Sequence, residues 1–181
     1  MADDRERLQI VTTTEKAPPR STLMLVLATL GFAINFWAWA LLSPLSSTFQ
    51  KNLDLTSFQT SLVVAVPVIV GSLGRIPVGA LTDRLGARIM FPAVSVLTII
   101  PVLFLGLVGT ESFGALILGG FFLGIAGTAF AVGVPFVNGW YPPSRRGLAS
   151  GIFGVGMGGT AIAALTTVPR VDSLGAQAPF L

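Results

Sequence analysis

The sequence predicts an all-α, polytopic membrane protein with five transmembrane helices. Two observations carry that prediction. First, five long stretches contain no Lys, Arg, Asp or Glu: Ser21–Gln50, Leu55–Gly74, Ile89–Thr110, Ser112–Ser144 and Gly147–Pro169. A span needs roughly 20 mostly apolar residues, and all five stretches reach that length. Second, 52% of the 181 residues are hydrophobic and only 10% are charged. Soluble domains carry about 25% charged residues. Five such runs in succession exclude a set of buried soluble helices, which would be shorter.

Residues 1–20 are polar and mixed in charge, and Pro18 and Pro19 close them off. Acids crowd the start and no small-residue cleavage site follows a short apolar core, so this is read as a mobile tail and not a signal peptide. The first span is expected over Thr22–Leu42, stopped by Ser43 and Pro44. It carries Asn35 beside Phe36, Trp37 and Trp39. The aromatics suit an interfacial belt. Asn35 sits deeper, where an amide either lines a cavity or bonds a neighbouring helix.

Leu45–Leu55 reads as a loop, and Thr56 with Gln59 three residues on is a capping-box pattern that opens the second span. That span runs to about Leu81 through Pro67, which denies the Val63 carbonyl its helical partner. Thr82–Arg88 is a charged turn. The third span covers Ile89–Val108, with Pro92 in its first turn and Pro101 as an expected kink. Gly109–Ser112 allows only a tight turn. The fourth span covers Phe113–Gly139, with Gly120, Gly124 and Gly127 on one face. It ends at Trp140, Tyr141, Pro142 and Pro143. In the fifth span, Leu148–Thr167, the residues Gly147, Gly151, Gly154 and Gly158 mark a small-residue face. Residues 170–181 are expected to form an outside loop and the start of a further, truncated helix.

The charges set the topology. With the N-terminus inside, Arg5, Arg7, Lys16, Arg20, Arg84, Arg88, Arg145 and Arg146 are cytoplasmic, and only Lys51 and Arg170 lie outside. The reverse orientation would invert that bias, so the tail is expected in the cytoplasm and residue 181 outside. The net charge of +3 reflects this loop placement, not affinity for nucleic acid. The absence of cysteine and histidine removes disulfides, thiolate metal sites and the usual physiological-pH proton acceptor. No carboxylate pair lies within a span, which argues against an enzyme, and no cofactor is implied.

One charge stands inside a span. Arg75 follows Gly71 and precedes Gly79 at four-residue spacing, so the three share a helix face. An arginine at mid-bilayer costs roughly 2.5–3.5 kcal/mol on insertion scales. At about 1.5 Å per residue it lies roughly 28 Å along the helix from Thr56. That leaves two roles open: snorkelling towards headgroups, or binding a ligand.

Gly79-Ala-Leu-Thr-Asp83-Arg84-Leu-Gly86-Ala-Arg88 resembles the cytoplasmic signature between the second and third helices of the major facilitator superfamily. The resemblance implies a conformational latch built on Gly79, Asp83, Arg84, Gly86 and Arg88. In it Gly79 admits a neighbouring helix, Asp83 accepts at a helix N-terminus and Gly86 permits the turn. Gly124–Pro142 and the glycine-rich Gly147–Ala161 are similar to the nitrate signature of the nitrate/nitrite porter (NarK-type) family within that superfamily. The resemblance covers about Leu23 to Leu181 and places Arg75 where that family has an anion-binding arginine.

The likeness therefore implies a nitrate or nitrite transporter of the cell membrane that works by alternating access. It implies substrate contacts from Arg75, Phe36, Gly127, Phe130 and Asn138. The chain departs from the pattern at Phe136, where other branches have asparagine; its amide, Asn138, lies about 200° further round the helix. The family has twelve helices in two halves with the site between them. By that pattern the chain is a partial N-terminal half, residues 21–169 being its transmembrane part. A missing C-terminal half or a second copy would then complete the pathway through the lipid bilayer. Transport of another small solute and a non-transporting fragment are the alternatives. Proton symport and nitrate/nitrite exchange both stay open, since every acidic residue lies outside the apolar runs.

Overall fold

The computed structural model describes residues 17–174 and 177–180. The expected tail lies, as far as residue 16, outside the described residues. Among the described residues, seven of the eight α-helices build five membrane-length elements. The first span is α1 (Ser21–Trp39), followed by a short helix α2 (Ser46–Asn52). The second is α3 (Ser57–Leu85) and the third α4 (Ala87–Leu107). The fourth joins α5 (Phe113–Leu123) to α6 (Ala129–Asn138) through a 3-10 segment, Gly124–Thr128. The fifth joins α7 (Arg146–Gly154) to α8 (Gly159–Leu174) through a second 3-10 segment, Val155–Gly158. Among the described residues no strand occurs.

The ends of these helices follow local chemistry. At the start of α3, the Gln59 amide donates to Thr56 Oγ1 at 3.2 Å and the Thr56 amide to Gln59 Oε1 at 2.9 Å, the expected capping box. At the start of α5, the Ala115 amide donates to Ser112 Oγ at 3.2 Å. Between α3 and α4 the chain turns at Gly86 with φ +86°, which any Cβ would strain. Gly86 therefore performs the turn that the sequence assigned to it.

Three expectations change. Leu45–Leu55 is not a plain loop: α2 forms there and buries Phe49 against Leu45 and Leu55. The fourth and fifth spans are not continuous α-helices, since each tightens to 3-10 geometry at its glycines. The fifth span also runs on to Leu174, through Pro169, where a loop was expected. Helices at membrane depth accept proline when neighbouring groups satisfy the freed backbone. Here Pro169 lacks the N–H that would serve the Leu165 carbonyl, and the helix continues past it to Leu174.

Packing places the fourth span centrally, with the first, second, third and fifth spans all against it. One apolar cluster centres on Phe32, Phe36, Phe91 and Phe153. A second, towards the Lys51 end, gathers Leu41, Leu42, Phe49, Leu105, Leu116 and Phe180. Outside these clusters many large apolar side chains lie on the surface. Ile76 is 75% exposed and Leu165 76%, which water would not tolerate over so many residues and a bilayer would. Of α3 only Val63, Pro67, Gly71 and Thr82 are buried, so this helix meets the bundle along one narrow seam.

Candidate functional site

That seam carries Arg75. Pro67, Val70, Gly71 and Gly74 of α3 face Gly120, Gly124, Gly127 and Thr128 of the fourth span. A Cβ on Gly71 would lie 3.0 Å from the Gly124 carbonyl and 3.4 Å from Gly127 Cα. A Cβ on Gly124 would lie 2.6 Å from Val70 Cβ. The two backbones thus touch, and the sequence face of Gly120, Gly124 and Gly127 is the contact that permits it.

One turn beyond Gly71, Arg75 is half-buried and its Nε–H donates to the Gly127 carbonyl at 3.3 Å. Among the described residues it makes no other hydrogen bond and no ion pair. A guanidinium carries five N–H donors, so most of its capacity is uncommitted. An uncompensated cation at this depth favours an anion beside it.

Aromatic rings stand next to the seam. Trp39 Nε1–H donates to the Pro67 carbonyl at 3.1 Å, and its indole reaches Gly71 and Gly127. Phe36 lies behind Trp39 at 5.1 Å between ring centroids and is itself buried. Phe130 is 36% exposed and lies 5.7 Å from Phe32 and 6.2 Å from Phe153. So Arg75 and Gly127 meet directly, Phe36 packs on Trp39, and Phe130 keeps an open face. Asn138 stands apart: its Oδ1 accepts from Ser150 Oγ at 3.0 Å and ties the fourth span to the fifth.

Asn35 resolves into a helix–helix link. Its Nδ2 donates to Ser95 Oγ at 2.8 Å, and Thr98 Oγ1 donates to its Oδ1 at 3.2 Å. The fifth-span glycines behave differently from their spacing. Gly147, Gly151, Gly154 and Gly158 would each project a Cβ into open space. The close contacts fall to Gly156, whose Cβ would lie 2.6 Å from Phe32 Cδ1, and to Gly159, which abuts the Ala33 carbonyl.

At the arginine-rich end, Asp83 and Arg84 are exposed and make no ion pair among the described residues. A Cβ placed on Gly79 would meet nothing within 4 Å. Arg88 does have a partner: its Cζ lies 4.8 Å from the Trp140 ring centroid. Sequence reasoning missed this pair, and missed Trp39 as the residue that backs Gly127. The glycine periodicity of the fourth span was the signal that a large ring could enter there.

A bundle of five membrane-length helices, with one cation set on a glycine seam, defines a polytopic α-helical membrane protein. The chain belongs to the Major Facilitator Superfamily, whose family model matches residues 28–181. It is 52% identical over 147 residues to the "Probable nitrate/nitrite transporter NarK2" of Mycobacterium tuberculosis, which covers 81% of this chain and 37% of that protein. It is 38% identical over 153 residues to the "Probable nitrate transporter NarT" of Staphylococcus aureus, covering 84% of this chain and 39% of the relative. It is 39% identical over 156 residues to the "Nitrite extrusion protein" of Bacillus subtilis, covering 86% and 39%. The chain thus spans about two fifths of the length of these relatives.

Proposed function

We propose that the complete protein containing this chain carries nitrate, nitrite or both across the cell membrane by alternating access, and is not an enzyme. The observation that carries the reading is Arg75. Among the described residues it is the one charge set away from the ends of a membrane-length element, it spends a single donor on Gly127, and no acid balances it. A planar oxyanion satisfies both the charge and the remaining donors. The names of the relatives agree with that chemistry.

In this reading Arg75 binds the anion, Gly127 lines the same spot and Phe130 offers a ring wall. Phe36 backs Trp39, and Asn138 holds the fourth span to the fifth. Gly79, Asp83, Arg84, Gly86 and Arg88 form the latch that meets the opposite half. The N-terminus lies in the cytoplasm, by the charge bias. A C-terminal half, or a second copy, faces the open glycines of the fifth span and completes the path through the bilayer.

The test is nitrate and nitrite uptake by the complete protein, wild type against Arg75→Lys. Lysine keeps the charge and loses the planar fork, so uptake falls by about tenfold or more if the fork binds the anion. Unchanged uptake would remove Arg75 as the binding group.

A further inference from the structure

The geometry around Arg75 says which part of its guanidinium is available. A planar oxyanion can pair with a guanidinium through two parallel bonds along either of two edges. One edge is formed by the two Nη groups. The other combines Nε with one Nη. Nε–H is already given to the Gly127 carbonyl at 3.3 Å. The second edge is therefore occupied by backbone, and the Nη edge remains.

The Gly127 carbonyl is held where it can do this. Gly127 lies within the 3-10 segment Gly124–Thr128 of the fourth span. On one side it touches α3 at Gly71, whose Cα would lie 3.3 Å from a Cβ on Gly127. On the other side stands Trp39. A Cβ on Gly127 would fall 2.9 Å from its Nε1 and 3.0 Å from its Cε2. The indole is itself fixed, because Nε1–H donates to the Pro67 carbonyl at 3.1 Å on the same helix as Arg75. Swinging the ring aside to admit a larger residue would break that bond.

We propose that Gly127 and Trp39 are positioning residues that fix Arg75 so that its Nη edge faces a planar oxyanion. The inference rests on the reading of Arg75 as the anion-binding group. Trp39 pins the fourth span against α3 from one side, glycine at 127 lets the two meet, and the Gly127 carbonyl sets the rotation of the guanidinium. A side chain at 127 would push the carbonyl away and free Nε. The fork would then sample several orientations, and binding would weaken while the bundle still moved.

The experiment uses the complete transporter in proteoliposomes with labelled nitrate as the probe. Gly127→Ala and Trp39→Phe are each made alone and in an Arg75→Lys background. Lysine has no planar fork for the carbonyl to orient, so the cycle reports the coupling of each position to the guanidinium. Each single variant should raise KM for nitrate by roughly tenfold, with kcat changed less than about twofold. Neither should add to the defect of Arg75→Lys. Defects that persist in full in the Arg75→Lys background would overturn the positioning role and leave Arg75 as the binding group. A KM unaffected by Arg75→Lys would instead overturn the reading on which the inference rests. Trp39→Phe adds no volume, so it decides the matter if Gly127→Ala fails to accumulate. If Arg75→Lys has no measurable flux, the single variants decide: lowered kcat with unchanged KM overturns the proposal, and raised KM with near-normal kcat supports it.

Discussion

The guanidinium of Arg88 lies 4.8 Å from the centroid of the Trp140 ring. This joins the start of α4 to the end of the fourth span. Nearby, Arg146 Nε–H donates to the Tyr141 carbonyl at 3.2 Å and steadies the turn that follows. The arginines of this end thus hold helix ends together as well as setting charge.

Loss of that pair should be measurable. A cation over an exposed ring contributes about 0.5–1 kcal/mol. Arg88→Gln and Trp140→Leu should each lower the stability of the bundle slightly. Their double variant should lose less than the sum, by about the same 0.5–1 kcal/mol. Thermal unfolding in detergent, run as a double-mutant cycle, reads the coupling; strict additivity would show that the contact contributes nothing.

The two glycine sets of the fifth span should part company on substitution. Gly156→Ala puts a Cβ 2.6 Å from Phe32 Cδ1 and should destabilise the chain by about 1–3 kcal/mol. Gly151→Ala meets open space and should leave the isolated chain unharmed, or stabilise it by up to about 1 kcal/mol through helix propensity. In the complete protein the order should differ, with Gly151→Ala slowing uptake because the opposite half covers that face. Paired melting and uptake measurements check both statements.

The topology is open to direct labelling. Cysteine placed at Lys51 and at Arg84, both exposed here, should react with an impermeant maleimide from opposite sides of the membrane. Residue 84 should be reached only after the vesicle is opened from the cytoplasmic side. Labelling of both from one side would contradict five crossings in this order.

The 181-residue chain by itself should not transport. Arg75 has no second cation and no opposite wall among the described residues, and the Gly147, Gly151, Gly154 and Gly158 face is uncovered. Reconstituted alone, the chain should pass labelled nitrate no faster than empty vesicles. Saturable uptake abolished by Arg75→Ala would point instead to two copies forming one pathway.

The sequence by itself determined the number of spans, the capping box at Thr56 and Gln59, the turn at Gly86 and the presence of a cation at Arg75. These follow from interactions within a few residues, or from the bilayer acting as a uniform solvent, so hydropathy and local hydrogen bonding suffice to place them. The tertiary structure decided which residues meet. Spacing marked Gly147, Gly151, Gly154 and Gly158 as a face but could not say that Gly156 and Gly159, on another side, are the ones pressed against α1. It put Asn35 inside a span without choosing Ser95 and Thr98 as its partners. It offered Trp39 for an aromatic belt, where packing made it the wall behind Gly127. Each of these depends on how far a helix is rotated about its axis. That rotation is set by contacts between residues far apart in the chain, which no local pattern encodes.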